Sequence, residues 1–241
     1  MKKWLLALTI GFCFGASFKL QDPCYQNNET LHYHIQKGTE AIDWIITINV
    51  SITSNTIYRT LSGNQSTKFE LVILDKPSEF PSRHESWTKN NEGILLPESV
   101  SVWDLKQHTL CVKYGNQPWS EPSSFPAKNY LFSPNVAWDL LTCLPLSEHW
   151  FISIPSDFIK LTLHVKGIEN VSVGNTSISC YKLTYIAEPH LAMIPLPRFD
   201  ATYWIATGKF PRIIKAIVGT ALGQSQIEMR HSSVLSFGSN P

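Results

Sequence analysis

Apolar and polar side chains alternate with a period of two along most of the chain. Residues 43–50 read DWIITINV, which puts Trp44, Ile46, Ile48 and Val50 on one side and Ile45, Thr47 and Asn49 on the other. That is a strand with one strongly apolar face. Segments 31–36, 57–61 and 69–74 flank it, separated by the turn residues Lys37-Gly38-Thr39 and Ser62-Gly63-Asn64. The spacing predicts an antiparallel meander. Residues 76–98 are rich in Pro, Ser, Asn and Glu and follow neither the strand nor the helix period, which predicts a long polar loop.

Segments 100–105 and 109–114 predict a further hairpin, followed by a proline-rich connection over 118–126. The one convincing helix comes next. Asn135 is a candidate N-cap, residues 137–141 hold helix formers with apolar side chains at helical spacing, and Pro145 ends the run. The period of two then resumes at 149–154, 158–166, 176–186, 201–206, 210–217 and 223–230. About eleven strands and no parallel crossover helix predict a mostly β fold, one curved antiparallel sheet with a short helix at 135–144 covering an apolar face. A two-sheet sandwich is the competing layout.

Composition narrows the picture. In 241 residues, 43% hydrophobic and only 16% charged, there is enough apolar material for a packed core, which excludes a disordered tail. Twenty basic and 19 acidic side chains leave a formal charge of +1, so no nucleic-acid footprint is present. Lys2 and Lys3, the apolar run 4–14 and the small cluster Gly15-Ala16-Ser17 have the order of a secretory signal peptide, with cleavage expected after Ser17. The apolar run is shorter than the roughly 20 residues of a spanning helix. Bulky Phe12 before Cys13 argues against lipidation there. The expectation is a periplasmic protein whose mature chain, 18–241, is a single β domain.

Export changes the reading of the cysteines. Cys24, Cys111, Cys143 and Cys180 are an even number, which predicts two disulfides with three open pairings; buried free thiols are the alternative. No two are spaced as a C-x-x-C redox or zinc motif.

A search for catalytic chemistry turns up little. His84-Glu85-Ser86-Trp87-Thr88 lacks the second histidine of a zinc peptidase helix, and no G-x-S-x-G elbow occurs. His32 and His34 share a strand face without a carboxylate at obvious ligand spacing. A non-enzymatic protein without cofactor or metal is expected.

The C-terminal third carries a resemblance. Residues 165–173 (VKGIENVSV), 180–185 (CYKLTY), 202–205 (TYWI), 208–213 (GKFPRI) and 226–229 (QIEM) come in an order that resembles the LolA/LolB-like superfamily, the periplasmic lipoprotein carriers and their relatives. The likeness covers 158–230 and, more loosely, 31–74. It implies an unclosed β-barrel, a half-pipe whose concave apolar face shelters acyl chains under a covering helix. The long polar loop and the four mature cysteines depart from that pattern.

On this reading the ligand is a lipid, a lipoprotein acyl chain or an apolar segment of an envelope partner. It would lie on Trp44, Ile46, Ile48, Phe69 and Leu71, with Trp138 and Leu141 contributed by the covering helix. Lys209, Arg212 and Lys215 around Phe210-Pro211 would hold an anionic headgroup, or else protect an edge strand by charge. Met193 and Ile194, in the proline-punctuated segment 189–199, would form a flap touching ligand or membrane, or a loop packed on its own core. The competing class is a structural or scaffolding envelope protein whose tryptophans fill the core and whose 189–199 loop meets a partner.

Overall fold

The computed structural model describes residues 22–64, 66–76, 78–124, 138–139, 141–143, 150–153, 159–189, 200–220 and 223–235. Among these, fourteen strands form one antiparallel sheet. The first half of the chain supplies β1 (Glu29–Lys37), β2 (Glu40–Val50), β3 (Ser54–Ser62), β4 (Thr67–Asp75), β5 (Phe80–Lys89), β6 (Leu95–Asp104), β7 (Thr109–Tyr114) and β8 (Ser123–Ser124). The second half supplies β9 (Trp150–Ser153), β10 (Ile159–Val173), β11 (Thr176–Pro189), β12 (Asp200–Ala206), β13 (Ile213–Thr220) and β14 (Gly223–Ser232). Each half is a meander, and the two join where β1 pairs with β14. β8 and β9 stand at the two ends and the sheet is not closed, so the fold is the curved, open half-barrel.

Alternation places the core. On β1 and β2 the buried apolar side chains are Leu31, Tyr33, Trp44, Ile46 and Ile48, all on the concave face. From across the seam come Leu183, Tyr203, Ile205, Ile213, Ala216 and Met229. Tyr33 binds the two halves directly, its hydroxyl donating to the carbonyl of Ile213 at 2.9 Å. A bulge in β10 between Val165 and Gly167 bends that long strand, and Gly167 sits there at a φ of 137° that L side chains rarely adopt.

Three expectations need correction. Residues 76–98 are not a loop, because β5 and the start of β6 pair there in the sheet. The strand period of β5 is masked by polarity: its inward positions are His84 and Ser86, so no apolar stripe marks the buried face. The proline-rich connection contains the two-residue β8. No disulfide forms among the described residues: Cys24, Cys111, Cys143 and Cys180 are all free thiols. They lie on separate elements, before β1, on β7, after the helical turn and on β11. Cys143 and Cys180 are buried, and their thiols donate weakly to the carbonyls of Asp139 and Ile178. Burial pushes the Cys180 thiol up to about 12, the behaviour of an inert core residue.

Arg212 is the strut of the seam. Its side chain is 1% exposed and uses all five N–H donors: two on the Glu29 carboxylate, with Nη2 at 2.6 Å from Oε2, and the rest on the carbonyls of Pro23, Cys24 and Pro211. The Tyr25 ring lies 4.6 Å from its guanidinium carbon. One cation thus ties the segment before β1, β1 itself and the approach to β13 into a unit. Arg212→Ala leaves Glu29 buried without its partner and is expected to lower unfolding free energy by about 3–5 kcal/mol in urea titrations. Lys209→Ala, at an exposed position, leaves the midpoint unchanged. Equal midpoints for the two variants would contradict the strut.

Candidate functional site

The pairing register lays the concave face out in rows. One row runs Leu31, Ile46, Arg59, Glu70, Ser86 and Ser99 across β1 to β6; the next runs Glu29, Ile48, Ile57, Val72, His84 and Ser101. Between the Glu29 strut and β4 these rows are mainly apolar, and over β4 to β6 they turn polar, with Arg59 at the boundary. Glu70, His84, Ser86 and Ser101 are all buried.

A short segment covers the junction. Trp138, Asp139 and Leu141 form a helical turn, followed by Thr142 and Cys143. The Trp138 indole packs 4.6 Å from Trp44, 5.4 Å from Tyr33 at right angles and 6.1 Å from Tyr203, measured between ring centres. Such pairs contribute about 0.5–1.5 kcal/mol each beyond their burial. Thr142 shares a 2.9 Å hydrogen bond with the hydroxyl of Tyr25, which connects the segment to the Arg212 strut. The space left between Tyr25, Leu31, Ile46, Trp138 and Ile213 is about 10 Å³, at the lower limit for a single water.

Asp139 anchors the same segment to the polar rows. Its carboxylate accepts from Nη2 of Arg59, while Nη1 of Arg59 donates to Glu70 at 3.0 Å. Lys68 Nζ lies 2.9 Å from the other oxygen of Glu70. Two carboxylates therefore compete for one buried guanidinium, and Glu70 has a second cation. Burial raises both acids, but Arg59 and Lys68 outweigh it at Glu70 and hold that group low. At Asp139 burial wins, aided by the Glu70 charge, and lifts the carboxyl to about 6. His84, fully buried, is depressed to about 4 by burial and is neutral at pH 7. Neither of its ring nitrogens has a hydrogen-bond partner.

The structure brings some of the expected site residues together and separates others. Trp44, Ile46, Ile48, Trp138 and Leu141 do converge on the concave face. Phe69 and Leu71 do not. β4 is apolar on both sides, and the register that joins Arg59 to Glu70 turns Glu70, Val72 and Leu74 inward, sending Phe69 and Leu71 to the convex side beside Thr60 and Tyr58. The basic trio is dispersed. Arg212 is consumed by Glu29, Lys215 pairs with Glu228 at 3.2 Å and lies 5.8 Å from the Trp204 ring, and Lys209 lies exposed over Phe210. The last strand of that region starts at Ile213, because Pro211 and the Arg212 contacts occupy the residues before it. His34 pairs with Asp43 and His32 packs edge-to-face with His231. Met193, Ile194 and the segment 1–17 lie outside the described residues.

Sequence reasoning does not single out Arg59, Glu70, Ser101 and Asp139, and it meets His84 and Ser86 only in the incomplete zinc-peptidase motif. For those on strands the signal is a polar side chain at an inward-facing position, visible once the phase of each strand is known: Arg59 two residues after Ile57, Glu70 two before Val72.

No protein-family model matches the chain, and no curated protein matches it in sequence. Solved structures do match. The beta-barrel-like protein of the domain of unknown function DUF1849 from Brucella abortus superposes with a TM-score of 0.54 at 8% identity, over 86% of this chain and 98% of that one. That likeness is one of fold. LprF from Mycobacterium bovis gives 0.33 at 10% identity, over 88% and 89% of the two chains, and the Mycobacterium tuberculosis lipoprotein LppX gives 0.26 at 13%, over 86% and 87%. The half-barrel implied by the carrier resemblance is the fold observed, while membership of that superfamily is not matched by any family model.

The covering segment should respond to pH. Asp139 is faced by Arg59 and Glu70 from the sheet and by the phenols of Tyr25 and Tyr33, with Cys143 on its own segment. Its carboxyl titrates near 6 when covered and near its ordinary 3.8 when free, so the covered state takes up a proton between those values. The cover is then tightest below about pH 4 and loosens as pH rises through 6. Hydrogen exchange at residues 138–143, corrected for intrinsic rates, is expected to show between about tenfold and a hundredfold more opening at pH 7.5 than at pH 4.5. Asp139→Asn flattens that profile; an unchanged profile in this variant would refute the assignment.

Proposed function

We propose that this chain is an exported, non-enzymatic binding protein of the cell envelope that shelters an acyl chain, from a lipid or a lipoprotein, on the concave face of its half-barrel. The observation that carries the reading is the way the face is covered. Trp138, on a single helical turn, sits in an aromatic cage of Tyr33, Trp44 and Tyr203, and its own segment is anchored by an acid whose burial is unfavourable. An apolar sheet face that, among the described residues, is covered by a small plug suits exchange of that plug for another apolar group. The signal-like residues 1–17 support the envelope location, and the half-barrel fold supports a carrier-like role.

A solid scaffold is the second reading, favoured by the space of only about 10 Å³ left beside Trp138 among the described residues. Trp138→Ala separates the two. If the face binds acyl chains, removing the indole raises affinity for a fluorescent fatty-acid probe by about tenfold, because the probe no longer competes with three aromatic contacts. If the wild type and the variant both fail to take up the probe while the variant loses about 3–5 kcal/mol of stability, the scaffold reading stands and the acyl-chain reading falls.

A further inference from the structure

The convex side of the sheet departs from the pattern that a solvated face imposes. An antiparallel sheet with one wet side alternates apolar and polar residues, whereas β4 reads FELVIL over 69–74, the near-continuous apolar run of a strand covered on both faces. Glu70, Val72 and Leu74 point inward, which leaves Phe69, Leu71 and Ile73 on the outside. The register extends that patch across β5 and β6. Trp87 lies beside Phe69, while Val100 and Val102 lie across β5 from Leu71 and Ile73, and all six side chains are half-buried. Tyr58, next to Leu71 on β3, is 48% exposed. Among the described residues no second layer lies against this face. The same side of β1 and β14 carries His32, His34, Glu228 and His231, so the apolar patch belongs to the first half of the chain.

An ion pair sits inside the patch. Arg83 and Glu85 both project outward from β5, Arg83 between Ile73 and Val102, Glu85 between Leu71 and Val100. Nε of Arg83 donates to the Glu85 carboxylate, and the Arg83 side chain is 44% exposed. Its two Nη groups have no hydrogen bond among the described residues. Opposite charges two residues apart on one strand are self-complementary under a two-fold rotation. We propose that the convex face of β3 to β6 is an interface between two copies of this chain, in which Arg83 of each copy meets Glu85 of the other.

One axis satisfies the whole patch. It lies in the plane between the two sheets, perpendicular to β5, and crosses that strand at the level of His84, whose side chain points inward. The rotation also sets Leu71 of each copy against Ile73 of the other, because these residues pair with Glu85 and Arg83. A bilayer fits the face less well, since lipid tails offer no counter-charge to an ion pair in the middle of the patch. A second copy offers one to each member. Apolar contact then supplies the attraction and the charges set the register. Two outwardly curved faces touch over a limited area, so the association is expected to be roughly micromolar. The concave faces stay free, and the assignment does not depend on the acyl-chain reading.

Sedimentation equilibrium of the mature protein tests it. The wild type is expected to double its mass between about 1 µM and about 200 µM. Arg83→Glu sets acids against acids and Glu85→Arg sets cations against cations, so each variant alone self-associates about a hundredfold more weakly or worse. Mixed in equal amounts, the two are complementary and form a heterodimer about as tight as the wild-type dimer. If either single variant does not fold, the double variant Arg83→Glu/Glu85→Arg keeps the pair within the chain; it dimerises with itself and not with the wild type. A wild type that stays monomeric over the whole range overturns the interface, and its flotation with phosphatidylcholine vesicles would give the face to a bilayer instead. Self-association unchanged by the single reversals, folded single variants that do not pair on mixing, or a double variant that mixes freely with the wild type would each overturn it as well.

Discussion

A guanidinium buried in the concave face of a β-sheet is tolerable only with its acids in place, and among the described residues Arg59 has two, from different parts of the chain. Glu70 comes from the neighbouring strand and is held in register by the ladder. Asp139 comes from a helical turn about eighty residues away in sequence. The first fixes the phase of β3 against β4, with Phe69 and Leu71 turned outward as its consequence. The second brings Trp138 over Trp44. Position of the cover and phase of the strands therefore follow from the same buried charge.

The second buried arginine does a different task. Arg212 satisfies every donor within the framework and faces no acid that could leave without unfolding the seam. It joins the first strand to the approach to β13 and, through Tyr25 and Thr142, touches the foot of the cover. Arg59 by contrast shares its charge with a short surface element. On the proposed reading Arg212 belongs to the fixed framework and Arg59 to the side where the cover is exchanged, the side on which burial lifts the Asp139 carboxyl to about 6.

Much of the framework was legible in the sequence because strand phase and burial coincide. The alternation at 43–50 puts Trp44, Ile46 and Ile48 inside, and the helical spacing at 137–141 marks a segment whose described residues cover them. Failure came wherever an inward position was polar. β5 was read as a loop because His84 and Ser86 occupy its buried face, and those are also residues of the candidate site. Arg212 reads as a headgroup or edge-protecting cation because a single-residue view cannot see Glu29, 183 positions away. Compartment and even number predict two disulfides, whereas the four cysteines are free thiols. Local pattern reports the apolar side of a sheet; long-range charge pairing, which decides the polar side, leaves no periodic trace.

The most direct test of the central claim is a nuclear Overhauser measurement between carbon-13-labelled oleate and the mature protein. The account predicts contacts from the chain methylenes to the Tyr33 and Trp44 rings, together with loss of the Trp44 to Trp138 contact. Oleate bound with the Trp44 to Trp138 contact intact, or contacts confined to convex residues such as Phe69 and Leu71, would contradict it.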